Sequence, residues 1–230
     1  MPESMPVRLE DHPAGHRTLL LDRPMVRNAI DKATVVALTE GIVSAPGPVV
    51  VVGSTDSVAF SSGVDVSLED SERAAVSERL YALYQEMRAT SKIIIAAASG
   101  HAVGGGAQLL IASDLRIGSP GLVVRFMGPG HGLAVGAWGL PSLVGRGRAM
   151  DLCLSMRPVA ADEALAIGLI DRLVADPIGE AHAYAEMVCT LDLGAVETIK
   201  RVVQTTSVDE AMAAERSHNS RWSGSIPNRD

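Results

Sequence analysis

The stretch that decides the fold is IIIAAASGHAVGGGAQ, residues 93–108. Its first six residues, Ile93–Ala98, form a continuous apolar run, which is the pattern of a parallel strand buried on both faces. A turn at Ser99-Gly100 follows, and three glycines at 104–106 lead into a short apolar helix that we predict over 107–112. Glycines at a helix start let the backbone approach a ligand and leave free N–H groups at the positive end of the helix dipole.

A second loop of the same kind, AFSSGVD at residues 59–65, follows another buried strand, which we predict over 49–52. Two such loops could aim two N–H donors at one oxygen, which is the arrangement of an oxyanion hole. The alternative is that the glycines only permit tight packing between strand and helix. Spacing alone does not separate these two interpretations.

Outward from this stretch, predicted strands and helices alternate, which favours an α/β sheet flanked by helices. Asp31 is placed to cap one helix and Ser71 to begin another. The predicted strands are 18–21, 49–52, 93–98, 115–117 and 122–126. After residue 174 only helices are predicted, over 177–191, 195–204 and 208–222. We therefore expect an α/β core over 1–175 and a helical C-terminal section over 176–230.

Composition excludes several classes of protein. The 230 residues are 47% apolar, which is enough for one sizeable core, while a net charge of −7 and 3% aromatic residues argue against a nucleic-acid surface. Cys153 and Cys189 show no disulfide or metal spacing, and no apolar run approaches a membrane span or a signal core. His12 and His16 have metal-compatible spacing but fall in an apparently loose N-terminal tail, so no metal site is expected. The chain is expected to be cytoplasmic.

Five motifs in register give the chain its resemblance to a known family. They are RPMVRNA at 23–29, FSSGVD at 60–65, GHAVGGG at 100–106 with DLRI at 114–117, LVGRGRAM at 143–150, and ADEALAIGLI at 161–170. Together they resemble the enoyl-CoA hydratase/isomerase (crotonase) superfamily over about residues 15 to 175. The resemblance implies a crotonase-type spiral of ββα units, a C-terminal section that forms a homotrimer or a dimer of trimers, and binding of acyl-CoA thioesters. Coenzyme A would be part of the ligand, and no separate cofactor is implied.

Carried over by this resemblance, the two oxyanion-hole N–H groups belong to Val64 and Gly105. Hydratases of the family use two glutamates to activate water and to protonate the α-carbon. Here the first of these positions holds Gln108, which cannot exchange a proton at neutral pH, and the second aligns with Gly128, which has no side chain. General acid–base groups are each worth roughly 10²–10⁴ in rate, so we expect only a trace of hydratase activity.

Other residues are candidates for binding or for relocated chemistry. His131 has a suitable pKa for proton transfer, although a hydrogen-bonded loop histidine is the simpler interpretation. The resemblance places Arg23 and Arg27 near the nucleotide portion of coenzyme A, and Trp138 either lines the acyl pocket or packs in the core. Asp65 could act in the site, but turn capping is a sufficient explanation for it and for Asp114. The predicted binding set is Arg23, Arg27, Ser62, Val64, Asp65, Gly104 and Trp138.

We therefore expect a family member that binds acyl-CoA thioesters through its oxyanion hole, in fatty acid metabolism, without efficient hydratase activity. Some members without both glutamates bind acyl-CoA rather than convert it, and residues 132–150 resemble that group. Two alternatives stay open. One is an active lyase or isomerase of this fold (an isomerase, a decarboxylase or a thioester hydrolase) with relocated catalytic groups, and the other is a non-catalytic assembly partner.

Overall fold

A computed structural model of the chain describes residues 5–204, 208–220 and 223–224. The described strands are β1 (Val7–Asp11), β2 (His16–Leu21), β3 (Val49–Ser54), β4 (Ala59–Ser61), β5 (Ile93–Ala98), β6 (His101–Val103), β7 (Leu115–Gly118), β8 (Val123–Arg125), β9 (Val159–Ala160) and β10 (Arg172–Leu173). The described helices are α1 (Lys32–Val43), α2 (Asp70–Ala89), α3 (Gly105–Ala112), α4 (Leu140–Val144), α5 (Arg146–Ser155), α6 (Ala161–Ala166), α7 (Pro177–Cys189), α8 (Leu193–Val203) and α9 (Val208–Asn219). None of these described helices is both long and apolar enough to cross a membrane.

The strands form two sheets that are built from repeated ββα units. The larger sheet has the order β1-β2-β3-β5-β7-β10, and the smaller has the order β4-β6-β8-β9. In the first unit both strands, β1 and β2, join the larger sheet. In each of the next three strand pairs the first strand joins the larger sheet and the second joins the smaller one, so that β3, β5 and β7 are parallel neighbours and so are β4, β6 and β8. This is the crotonase-type spiral that the motifs imply.

The central strands are continuously apolar because both faces of the larger sheet are covered. Val50 and Val52 of β3 pack with α1, α2 and α3, while Val49 and Val51 pack on the other face against α7. Side chains alternate between the two faces of a strand, so a strand in this position needs apolar residues at every step. Helix α7 therefore covers the second face of the larger sheet, although it lies in the C-terminal section that the sequence predicted.

The predicted helix starts lie close to the observed ones. The Asp31 side chain accepts a hydrogen bond from the Thr34 N–H at 2.8 Å, which confirms it as the cap of α1. Helix α2 begins at Asp70, one residue before the predicted Ser71, and its preceding residue Glu69 makes no side-chain cap.

Three expectations about the elements were wrong. Residues 7–11 are not part of a loose tail but form β1, which pairs antiparallel with β2 from Val7 opposite Leu21. The loops at 59–65 and 99–108 each contain a strand of three residues, β4 and β6, too short to show an apolar period. In the helical section, α7 ends at Cys189, α8 begins at Leu193 and α9 ends at Asn219. The predicted end of the last helix, Trp222, lies outside the described residues.

Candidate functional site

The loop after β4 presents the Val64 N–H on one side of the chain. Ile30 donates its N–H to Gly63 O at 2.8 Å and accepts the Asp65 N–H at 2.9 Å, so it pairs with both neighbours of Val64. In such a parallel bridge the residue between the two partners turns its own N–H the other way. The Val64 N–H thus points away from Ile30 and toward the loop after β6.

The Gly105 N–H comes from that second loop. Gly105 is the first residue of α3, so its N–H has no partner within the helix and stands at the positive end of the helix dipole. The two loops are in direct contact, because a methyl group on Gly105 would lie 3.6 Å from Val64 N and one on Gly63 would lie 3.2 Å from Gly105 N. Both Val64 and Gly105 line the same cavity.

Two glycines of the 104–106 run do different work. Gly104 has φ +53° and ψ −114°, a conformation that only glycine adopts readily. A methyl group on Gly106 would lie 2.5 Å from the Ser61 carbonyl oxygen, so Gly106 allows α3 to pack closely on β4. The glycines therefore serve both tight packing and donor presentation, which spacing alone did not separate.

The cavity beside these donors has a volume of about 580 Å³, and its charged lining residues are all basic. Its apolar wall includes Leu80, Leu133 and Val135, and its polar lining is basic. Among the residues that the structure describes, no Asp or Glu lines it, although the chain as a whole has a net charge of −7. The arginines and histidines of the lining are Arg27, Arg73, His101, Arg125 and His131.

Gln108, at the end of the first turn of α3, forms part of the inner wall of the cavity. It is 5% exposed, and its Oε1 accepts hydrogen bonds from Trp138 Nε1 at 2.9 Å and from Gly136 N at 3.1 Å. Both partners are donors, so the atom facing them must be the amide oxygen. The amide is neutral at all ordinary pH values, so Gln108 can orient a ligand group but cannot take up a proton.

Comparison with known proteins identifies the family. The family model for enoyl-CoA hydratase/isomerase matches residues 13–229. The chain belongs to the enoyl-CoA hydratase/isomerase family. A Mycobacterium tuberculosis relative named "Probable enoyl-CoA hydratase echA6" is 33% identical over 205 residues, covering 86% of this chain and 83% of the relative. The crotonyl-CoA hydratase of Syntrophomonas wolfei is 29% identical over 219 residues, covering 86% and 82%.

Solved structures agree with this assignment. The enoyl-CoA hydratase of Thermoplasma volcanium superposes with a TM-score of 0.80 at 27% identity, covering 94% of this chain and 91% of that one. A monofunctional enoyl-CoA isomerase from M. smegmatis superposes with a TM-score of 0.77 at 27% identity, covering 91% and 99%. The enoyl-CoA hydratase/isomerase family therefore includes proteins named for either reaction among the relatives of this chain.

Gly128, the position to which the family resemblance carries the second glutamate, is sterically closed. A methyl group there would lie 2.6 Å from Leu133 O and 2.8 Å from Val135 N. Its Cα–H thus faces the backbone of its own loop, and the neighbouring Met127, not Gly128, lines the cavity. No side chain of any kind fits at Gly128 in this loop conformation.

In this enoyl-CoA hydratase/isomerase family member the structure brings four more of the predicted site residues to the cavity, namely Arg27, Ser62, Gly104 and His131. His131 lies in the short turn Pro129–His131 and is half-buried. Arg27 is exposed at the rim, and its carbonyl accepts the Ser62 N–H at 3.0 Å. Arg125 also lines the cavity, with its Nε donating to the Met156 carbonyl.

Arg23 and Asp65 do not line the cavity but bind each other. Arg23 pairs with Asp65 and with Asp31, each at 3.2 Å, so its guanidinium is committed to the fold. Burial acts to raise the pKa of Asp65, but hydrogen bonds from Ser67 and Arg23 outweigh it and hold that pKa below its ordinary value. Asp65 is an ionised turn cap, as the structural interpretation of the sequence predicted.

Trp138 and Asp114 also have structural positions. Trp138 is buried behind the cavity wall, where its ring stacks on Tyr84 with centroids 6.0 Å apart. Of the two sequence interpretations of Trp138, this placement fits core packing. Asp114 accepts hydrogen bonds from the Ile94 N–H and from Lys200 Nζ, both at 2.8 Å.

The sequence missed the residues that close the cavity from the C-terminal side. Asn219, at the end of α9, donates to the Ala134 carbonyl at 2.8 Å and accepts the Ala134 N–H at 3.0 Å. It also bonds to the Tyr81 hydroxyl, and both Tyr81 and Asn219 line the cavity. Contacts across 85 residues leave no local signal, so an isolated asparagine in a polar helix gave no reason to select it.

Proposed function

We propose that this family member binds acyl-CoA thioesters with the thioester carbonyl oxygen at the N–H groups of Val64 and Gly105, and that it hydrates enoyl-CoA only at a trace rate. The observation that carries the proposal is a cavity with two backbone donors and no carboxylate among the described lining residues. Fixed donors of this kind stabilise negative charge on a carbonyl oxygen. Water addition also needs a base and an acid, and this cavity supplies neither as a carboxylate.

The charge of the cavity supports an anionic ligand. Arg27 at the rim and Arg125 within the cavity provide guanidinium groups, which suit phosphate oxygens. Arg73 also lines the cavity, but its guanidinium is held by Asp70 and by backbone carbonyls. An acyl-CoA carries phosphate groups at its nucleotide end and a thioester at the other end, so one molecule can meet both features. The proposed ligand is thus an acyl-CoA, in which coenzyme A is part of the ligand, and no separate cofactor is proposed.

Self-association through the C-terminal section is part of the proposal. Helix α8 leaves Ile199 62% exposed and Val203 72% exposed, and Val202 lies beside them on the surface. Exposed apolar patches of this kind mark interaction surfaces. We expect a homotrimer or a dimer of trimers, which light scattering after gel filtration measures directly. The cytoplasmic location stays a prediction.

Calorimetric titration with crotonyl-CoA, octanoyl-CoA and free coenzyme A tests binding. Val64→Pro removes one donor without removing a hydrogen bond of the fold, because Ile30 pairs with Gly63 and Asp65 instead. Loss of that donor should weaken acyl-CoA binding about 2–10-fold, as a typical hydrogen bond predicts. Val64→Ala keeps the N–H and should bind as the natural chain does. Equal binding by both variants would contradict the oxyanion role of Val64.

Product analysis over the same thioesters separates binder from enzyme. We expect no hydration of crotonyl-CoA beyond a trace, and turnover in the ordinary range of about 1–10³ s⁻¹ would overturn that part of the proposal. His131 favours the alternative of an active enzyme with relocated groups, since it lines the cavity and could move a proton. If any thioester is converted, unchanged turnover by His131→Ala would exclude this histidine as the group that transfers the proton. If no acyl-CoA binds, the alternative of a non-catalytic assembly partner is the one that remains.

A further inference from the structure

Three histidines converge at the end of the larger sheet that is remote from the cavity. His12 lies in the turn between β1 and β2, His16 is the first residue of β2, and His182 is on α7. One nitrogen of each ring lies within 4.8 Å of the others. The sequence suggested the first two as a weak pair in a loose tail, and it gave no reason to add the third, 166 residues further along than His16.

His16 has no hydrogen bond to explain its burial. Its side chain is 1% exposed, and neither ring nitrogen has a partner among the described residues. An unsatisfied buried polar atom costs about 1–3 kcal/mol, so each such atom in a native fold needs an explanation. His12 and His182 are only half-buried, so an ion can reach the three rings from solvent.

The three rings are held together by further contacts. The rings of His12 and His16 stack with centroids 4.2 Å apart and planes within 7° of parallel. The Thr18 hydroxyl oxygen lies 2.9 Å from His12 Nε2 and 3.0 Å from His182 Nε2, which fixes the orientation of both rings.

Carboxylates near the three rings favour a cation between them. The carboxylates that act on the cluster through space are those of Glu10, Asp176 and Glu186.

The site is separate from the proposed acyl-CoA cavity. His16 is opposite Val49, the first residue of β3, and Val49 is opposite Ile93, the first residue of β5. The loops that carry the Val64 and Gly105 donors follow the other ends of these strands. Failure of one proposal therefore leaves the other intact.

We propose that His12, His16 and His182 together bind one Zn²⁺ ion, with water in the remaining position. Three imidazoles suit zinc, whose Zn–N distance is about 2.0–2.1 Å in a tetrahedral site. Ligand nitrogens around such an ion are about 3.3–3.4 Å apart, so the nitrogens move closer by roughly 1.5 Å at most when the ion binds. Because imidazole lone pairs lie in the ring plane, the His12 ring must also rotate out of its parallel stack on His16. The bound ion would join the β1–β2 turn to α7 and would use one ring nitrogen of the buried His16.

Zinc binding to untagged, chelator-treated protein tests this proposal, by equilibrium dialysis against ZnCl₂ with metal analysis. We expect one Zn²⁺ per chain and a higher melting temperature with zinc than with chelator. His12→Gln and His182→Gln should each weaken binding by more than about 100-fold, since even residues that only orient a ligand cost 10–100-fold. His101→Gln, which changes a histidine outside the cluster, should leave zinc binding unchanged.

A further variant separates loss of zinc binding from loss of folding. His16→Leu removes a side chain that makes no hydrogen bond within the described residues, so in chelator it should melt no lower than the natural chain while losing zinc binding. Zinc binding by the natural chain that is no tighter than that of the His12→Gln/His182→Gln double variant would overturn the proposal. Unchanged zinc binding by His16→Leu would overturn it as well.

Discussion

The amide oxygen of Gln108 joins two parts of the chain by accepting the Trp138 indole N–H at 2.9 Å and the Gly136 N–H at 3.1 Å. Helix α3, which supplies the Gly105 donor, is thereby fixed to the loop that forms the opposite wall of the cavity. The residue that the family resemblance places at the first glutamate position thus has a structural role.

Replacing Gln108 by Leu leaves both of these donors buried without an acceptor. Each unsatisfied donor costs about 1–3 kcal/mol, so the free energy of unfolding should fall by about 2–6 kcal/mol. Urea denaturation of the variant and the natural chain measures the difference. A loss below about 0.5 kcal/mol would show that the two hydrogen bonds contribute nothing net.

Gln108→Glu is the matched variant, since a carboxylate oxygen can accept the same two hydrogen bonds. Stability should change far less than in Gln108→Leu. Crotonyl-CoA hydration should stay at a trace level, because one carboxylate does not replace the pair and Gly128 cannot carry the second. Hydration at an ordinary enzymatic rate in this variant would contradict the assignment of the second position.

We expect an added methyl group to lower the stability of the fold at Gly106 and to raise it at Gly147. In Gly106→Ala the new carbon meets the Ser61 carbonyl oxygen at 2.5 Å, so overpacking should cost about 1–3 kcal/mol. In Gly147→Ala, on the exposed face of α5, nothing lies within 4 Å and helix propensity should add up to about 1 kcal/mol. Thermal denaturation of both variants tests whether close packing on β4 decides the sign.

Asp65 should contribute to stability only in its ionised form. Its pKa is lowered in the folded chain, so the contribution is full above the unfolded pKa of about 3.9 and is lost as pH falls through the folded value. Asp65→Asn should be less stable by about 1 kcal/mol or more at pH 7. The difference should shrink below about pH 4.

Glu40→Gln, which changes an exposed carboxylate on α1, is the control for Asp65→Asn. Denaturant titrations at pH values from 7 to 2.5 compare the three chains. A stability deficit of Asp65→Asn that stays constant over this range would show that charge pairing with Arg23 is not its cause.

Arg27 should act on the charged end of an acyl-CoA. Arg27→Gln should weaken acyl-CoA binding about 2–10-fold at low salt, as for one exposed charge-assisted contact, and less at high salt. An acyl-pantetheine thioester, which lacks the nucleotide, should bind both chains equally. Arg146→Gln, which changes an exposed arginine of α5 away from the cavity, should bind as the natural chain does.

The sequence predicted the parts of the fold that local chemistry determines. Continuous apolar runs gave β3 and β5, the Asp31 cap gave α1, and the glycine run gave the start of α3. Motifs in register then implied the family and the pair of loops that the structure brings together. Each of these signals is contained within a few neighbouring residues.

What could not be predicted depends on contacts between distant segments. Arg23 matched a family motif, yet its guanidinium pairs with Asp65, 42 residues away, and is turned from the cavity. Asn219 reaches Ala134 across 85 residues, and His182 joins Thr18 across 164 residues. Strands β4 and β6 are three residues long, and only their pairing across the smaller sheet makes them strands.

The crowding around Gly128 determines which substitutions this loop can accept. A glutamate placed there would bring its first side-chain carbon against the carbonyl of Leu133. An acidic residue at this position would therefore require a longer or rebuilt loop, so any variant designed to add a carboxylate here must change the loop first.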